Sequence, residues 1–166
     1  MHHTLTAGPR APDTVNVFVE SPKGSQNKYE YAHELHILRL DRVLFSPLHY
    51  PGDYGFIPGT MAEDGDPLDA LVMVSFPTYP GTLIEARPIA VLDMVDGGKP
   101  DAKILCVPVH DIRFAEDKDM GDLPKPILDE IAHFFTVYKH LEGKVVEIRG
   151  WQDAVAAKAI IRKSVR

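Results

Sequence analysis

Hydrophobic and polar positions change rhythm along this chain, and the rhythm predicts its elements. Val15 to Glu20 alternate as a half-buried strand does, and Ser21 to Asn27 is a polar loop. A second strand carries Lys28 and Glu30 on one face and Tyr29 and Tyr31 on the other. His36 to Asp41 is its expected hairpin partner, with Arg42 just beyond. The stretch from Ser46 to Gly59 holds so much Pro and Gly that an irregular, functional loop is expected. Further strands are predicted at about residues 70–76, 83–94 and 102–109, the last two joined by a hairpin turn from Asp96 to Asp101.

Helical spacing is confined to the final third. Pro124 and Pro126 open a segment in which Ile127, Leu128, Ile131, Phe134, Phe135 and Tyr138 share a face, and Gly143 ends it. A strand at 144–149 and a helix from about Gln152 to Ser164 complete the chain. Residues 1–13, with His2, His3, Pro9 and Pro12, have no periodicity and read as a mobile arm. Residues 14–166 then form one domain without internal repeats. Short strands followed by two C-terminal helices predict an α+β fold built on a small β-barrel.

Composition narrows the functional classes. The 166 residues are enough for a substantial core, and 45% hydrophobic with 25% charged residues is ordinary for a globular domain. No apolar run is long enough to span a bilayer and no basic-then-apolar leader is visible, so no membrane partner and a cytoplasmic setting are expected. Cys106 is the only cysteine and lies in an apolar strand, where a buried inert thiol is expected. A formal charge of −6 argues against a nucleic-acid surface, although bound cations can invert the sign of a local site.

Chemistry enters at Asp64-Gly65-Asp66-Pro67-Leu68-Asp69, which runs into the apolar Ala70-Leu71-Val72-Met73-Val74. Carboxylates this close repel one another unless a cation neutralises them, and hard divalent ions prefer such oxygen donors. Gly65 and Pro67 fix a turn and the apolar run anchors it. It is not a calcium-binding EF-hand loop, since positions 5, 6 and 12 counted from Asp64 are Leu68, Asp69 and Ser75. His33-Glu34-Leu35-His36 has its second histidine one residue early for a zinc helix and sits in a hairpin turn. Glycine-rich nucleotide-binding motifs are missing. Asp96 and Asp101 flank a turn and could both face its mouth, Asp101 shares a face with Lys103, and the odd spacing of Asp93 puts it on the opposite face. By themselves these could be a polar hairpin tip, Tyr138 a core aromatic and Lys139 a solvated charge.

Taken together, the blocks resemble the soluble family I inorganic pyrophosphatases. The resemblance runs through Glu20-Ser21-Pro22-Lys23-Gly24, Asn27-Lys28-Tyr29-Glu30, Leu40-Asp41-Arg42 and Tyr50-Pro51-Gly52-Asp53-Tyr54-Gly55. It continues through the Asp64–Asp69 signature, Asp96, Asp101-Ala102-Lys103 and His133-Phe134-Phe135-Thr136-Val137-Tyr138-Lys139, in the family's order from about residue 15 to 165. It implies Mg²⁺-dependent hydrolysis of pyrophosphate to two orthophosphates on a five-stranded, mainly antiparallel barrel related to the OB-fold. Mn²⁺, Zn²⁺ or Co²⁺ would substitute, and Ca²⁺ would inhibit. Asp64, Asp69 and Asp101 would hold one metal, and Asp69 would share a second, with the nucleophilic water between them. Asp96 with Asp101, and Glu30, would take further ions, and Glu20 would orient waters and neighbours. Lys28, Arg42, Tyr54, Lys103, Tyr138 and Lys139 would contact phosphate, and Asp66 would be the general base. The resemblance also implies a homo-oligomer, commonly a hexamer, with His133, His140 or the last helix as contact candidates. Phe56 departs from the Tyr of some relatives. The rival readings are a nucleic-acid-binding barrel using Tyr50, Tyr54 and Phe56, a broader phosphatase acting on nucleotides or polyphosphate, and a silent metal-dependent scaffold.

Overall fold

A closed ring of five strands organises the molecule. In a computed structural model that describes residues 4–166, nine strands and two longer helices follow one another. They are β1 (Val15–Ser21), β2 (Asn27–Ala32), β3 (Ile37–Val43), β4 (Asp53–Ile57), β5 (Leu68–Val72) and β6 (Leu83–Asp96), then β7 (Lys99–Pro100), β8 (Lys103–Pro108), α1 (Lys125–Val137), β9 (Val146–Asp153) and α2 (Ala154–Ser164). The pairing order β1–β4–β5–β8–β6 returns to β1, because β1 also pairs with β6. Every pairing in the ring is antiparallel except β5 with β8. Closure leaves no free edge within these five. The remaining strands are additions: β7 and β9 extend β6, and β2 with β3 form a separate hairpin.

Alternation along the ring strands feeds two cores. Leu71, Leu92 and Leu105 join Tyr50, Tyr54, Ile131, Phe134 and Phe135 on one side, so the ring packs against α1. Their neighbours Ala70, Val72, Val91, Ile104 and Cys106 join Val15, Val17, Ala157 and Ile161 on the other, beside α2. Cys106 is fully buried and, as expected, unpaired; burial raises its thiol pKa well above the ordinary value. Helix α1 starts with proline in its first turn, where no intrahelical N–H is needed. The Asp153 side chain caps α2 by accepting from the Ala156 N–H at 3.0 Å.

The irregular loop expected between Ser46 and Gly59 contains a strand. All five residues of β4 are buried, so no alternation marks it, and Gly55 is required by close approach of β1. A Cβ on Gly55 would stand 1.8 Å from the Phe18 carbonyl oxygen. Asp53 is wholly buried beside it and acts as a pin. Its two oxygens accept from the Lys23 N–H at 2.8 Å and from the Thr78 N–H and hydroxyl at 3.1 and 2.5 Å, tying two loops to β4.

The segment expected to be a mobile arm is tied to the domain over its described part. Ala7 is 3% exposed, and its carbonyl accepts from the Asn16 N–H. Arg10 pairs with Glu85. His2 and His3 lie outside the described residues. No helix among the described residues is long and apolar enough to cross a membrane.

Candidate active site

The ring gathers its acidic turns at one mouth. Because β5 and β8 run parallel, with Asp69 in register with Lys103, the turns that precede them emerge side by side. One turn carries Asp64, Asp66 and Pro67; the other carries Asp96, Lys99 and Asp101. The end of β1 adds Glu20, the hairpin β2–β3 adds Lys28, Glu30, Tyr31 and His33, and β4 adds Tyr54 and Phe56. Tyr138 and Lys139 arrive from the C-terminal end of α1. Together they enclose a cavity of about 410 Å³ walled by seven carboxylates and four lysines.

Twelve of the thirteen residues singled out by the sequence line this cavity, and Arg42 is the exception. It sits opposite Lys28 in the β2–β3 register, but its guanidinium turns to Asp41 and Glu142. Expected as a direct phosphate contact, Arg42 does not line the cavity itself; Asp41 and Glu142 hold its guanidinium just behind Lys28. Tyr31, His33, Phe56, Pro67, Lys99 and Pro100 line the cavity without having been proposed for the site. Lys99 had a signal, since it lies inside the turn flanked by Asp96 and Asp101. His33 belongs to the turn that joins β2 to β3, as its motif suggested, yet that turn forms part of the wall. Asp93 lies elsewhere, beside Met61, Ala62 and Lys163.

Lysines neutralise the carboxylates in pairs. Lys103, only 4% exposed at its side chain, gives Nζ to Asp69 at 2.6 Å, to Asp101 at 2.8 Å and to the Tyr54 hydroxyl at 3.0 Å. Its three protons are therefore all used. Burial opposes the ammonium charge, but Asp69 and Asp101 outweigh it and the pKa is raised. Lys139 pairs with Asp96 and lies against the Tyr138 ring; Lys28 pairs with Glu30 and reaches Asp41 at 3.4 Å. Tyr54 is buried, which drives its hydroxyl pKa far up and keeps it neutral.

Burial raises two of the acids, Glu20 and Asp101. Glu20 accepts from the Tyr31 N–H at 2.9 Å, yet burial, with Asp69 nearby, lifts its pKa to about 7. Asp101 is raised as well, by burial first, with Lys103 pulling the other way and Asp69 adding to the rise. Asp64 accepts from the Asp66 N–H at 3.0 Å, which fixes the acidic turn and leaves both carboxylates exposed to the cavity.

This donor set suits a hard divalent cation: every acidic ligand is oxygen, and acids outnumber lysines. As they stand, no three carboxylates or histidines among the described residues converge closely enough to hold an ion. Lys103 sits between two of them, Asp69 and Asp101.

Comparisons with known proteins agree along almost the whole chain. The family model described as inorganic pyrophosphatase matches residues 17–166. The inorganic pyrophosphatase of Halalkalibacterium halodurans is 53% identical over 150 residues, covering 90% of this chain and 92% of its own. That of Synechocystis sp. is 51% identical over 162 residues, covering 98% and 95%. The crystal structure of inorganic pyrophosphatase from Thermus thermophilus superposes with a TM-score of 0.93 at 46% identity, over 96% of this chain and 93% of that one.

Proposed function

The chain belongs to the inorganic pyrophosphatase family and hydrolyses pyrophosphate to two orthophosphates, and we propose that it does so in the acidic cavity with Mg²⁺. The observation that carries this reading is the coexistence of seven carboxylates and four lysines around one cavity. A site for a neutral substrate would have no use for both signs at this density.

Asp64, Asp69 and Asp101 would hold Mg²⁺, with Asp96, Asp101 and Glu30 taking further ions; Mn²⁺, Zn²⁺ or Co²⁺ would substitute and Ca²⁺ would inhibit. Once bound, such ions lower the pKa of water and balance phosphate charge. Asp66, exposed on the acidic turn, takes the proton of the attacking water as general base. Glu20, anchored on the Tyr31 N–H, orients the surrounding waters. Lys28, Lys103 and Lys139 exchange carboxylate for phosphate oxygens as substrate arrives, which returns their charge to the leaving group. Tyr54, kept neutral by burial, holds Lys103 in place during this exchange. Tyr138 and Arg42 complete the phosphate contacts, the latter from the rim.

Outside the cavity the reading extends to a cytoplasmic homo-oligomer, hexameric by family resemblance, with no nucleic-acid or membrane partner.

Phosphate release from pyrophosphate, with and without Mg²⁺, tests the proposal in wild type, Asp66→Asn and Asp69→Asn. Wild type is expected to be active only with the ion. Asp66→Asn should lose turnover at unchanged metal affinity, and Asp69→Asn should lose both, as read by calorimetric Mg²⁺ titration. Equal metal affinity in the two variants would remove the assigned division of roles. Full activity in Asp69→Asn would move the reaction out of this cavity.

A further inference from the structure

Arg42 and Glu142 form a contact that the reaction as described does not require. Glu142 closes the short turn after Lys139, exactly one hundred residues beyond its partner in β3, and its side chain is 7% exposed. Its Oε1 lies 2.9 Å from Arg42 Nε, but the angle is too poor for a hydrogen bond. Arg42 Nε and Glu142 Oε2 are therefore both buried without a hydrogen-bond partner. A half-satisfied buried carboxylate is unfavourable and calls for an explanation.

The explanation lies in what remains of the guanidinium. Nη1 is taken by Asp41 and Nε faces Glu142, while among the described residues Nη2 has no partner. Asp41 in turn reaches Lys28, which lines the cavity. Glu142 thus ties β3 to the chain segment that delivers Tyr138 and Lys139, two walls of the site that are far apart in sequence.

We propose that Glu142 is a positioning residue: by holding the Nε edge of Arg42 it leaves Nη2 as the one corner of the fork presented to a phosphate oxygen. The proposal rests on the reading that Arg42 contacts phosphate. A planar guanidinium has fixed donor directions, so anchoring one edge sets the aim of the other. Glu142 touches neither substrate nor ion, and its effect should appear in binding more than in turnover.

The test measures KM and kcat for pyrophosphate, and the dissociation constant of non-hydrolysable imidodiphosphate, in Glu142→Gln, Glu142→Asp, Arg42→Ala and the double variant Glu142→Gln with Arg42→Ala. Glu142→Gln should raise KM and the imidodiphosphate constant roughly tenfold, the loss of one charge-assisted contact, with kcat within about twofold. Glu142→Asp, which keeps the charge, should recover most of that affinity and also serves if Glu142→Gln does not fold. In the Arg42→Ala background, Glu142→Gln should add nothing. A raised KM in Arg42→Ala with wild-type affinity in Glu142→Gln would overturn the positioning role alone. Wild-type affinity in Arg42→Ala would overturn the phosphate role of Arg42 and the proposal with it. An equal loss from Glu142→Gln in both backgrounds would show that it acts independently of Arg42.

Discussion

Replacing Lys103 by Met removes the cation on which the site is balanced while keeping its bulk. Three contacts disappear at once, to Asp69 at 2.6 Å, Asp101 at 2.8 Å and the Tyr54 hydroxyl at 3.0 Å. Leaving a fully buried charge unpaired costs about 3–5 kcal/mol. The stranded partners here are not fully buried, since the side chains of Asp69 and Asp101 are 30% and 17% exposed. Water therefore recovers part of the loss, and about 2 kcal/mol is the expected destabilisation of the metal-free protein at neutral pH. Urea unfolding in the presence of chelator, at fixed protein concentration, measures it. The deficit should narrow as pH falls through the carboxylate range, because Asp101, already raised by burial and now without Lys103 to pull it down, binds its proton more tightly folded than unfolded. It should narrow again on adding Mg²⁺, which would take the place of the ammonium between the same carboxylates. Activity should nevertheless fall by at least about a hundredfold, since a phosphate-facing charge is gone. A stability loss below about 0.5 kcal/mol, an ordinary surface effect, unchanged by pH or Mg²⁺, would refute the claim that Lys103 balances the site.

Two other expectations follow from separate features. Glu20 has its pKa lifted to about 7 in the folded protein, so folded chains hold a proton that unfolded chains release. Stability of the metal-free protein should then fall as pH rises from about 4.5 to 7, by roughly 3 kcal/mol, and Glu20→Gln should flatten that slope in chelator. An unchanged slope in the variant would place its origin elsewhere. Gly55→Ala should lower stability by about 3 kcal/mol or more, because the new methyl meets the Phe18 carbonyl and the β1–β4 pair must part. A thermal midpoint equal to wild type would show that β1 yields without loss.

Most of the ring could be read from the chain because its strands are short apolar or alternating runs between turn residues. Strand β4 could not. Every residue of it is buried, so its pattern has no period, and its glycine looks like a breaker until the path of β1 across it is known. The same limit applies to the site. Asp64, Asp66 and Asp69 stand out locally, and period-two spacing correctly joins Asp101 to Lys103. The motif around Arg42 points to phosphate but gives no sign of Glu142 beside it, because that residue comes from a turn distant in sequence. His33 and Lys99 lie in turns whose composition also fits simple solvent exposure, and only the closure of the ring brings them to the cavity wall. Asp53 appears in a motif beside Tyr54 but is a loop pin, a role set by backbone N–H groups of Lys23 and Thr78.

The parallel pairing of β5 with β8 has a kinetic consequence. Parallel neighbours need a long crossover, and this one passes through the whole of β6 before Lys103 can meet Asp69. Contacts so distant along the chain form after local ones, because loop closure precedes any return from pairing. Hairpins such as β2–β3 can assemble early, but the two acidic turns stay apart until the crossover closes. Assembly of the two acidic turns into one mouth thus waits on the same crossover that brings Lys103 to Asp69.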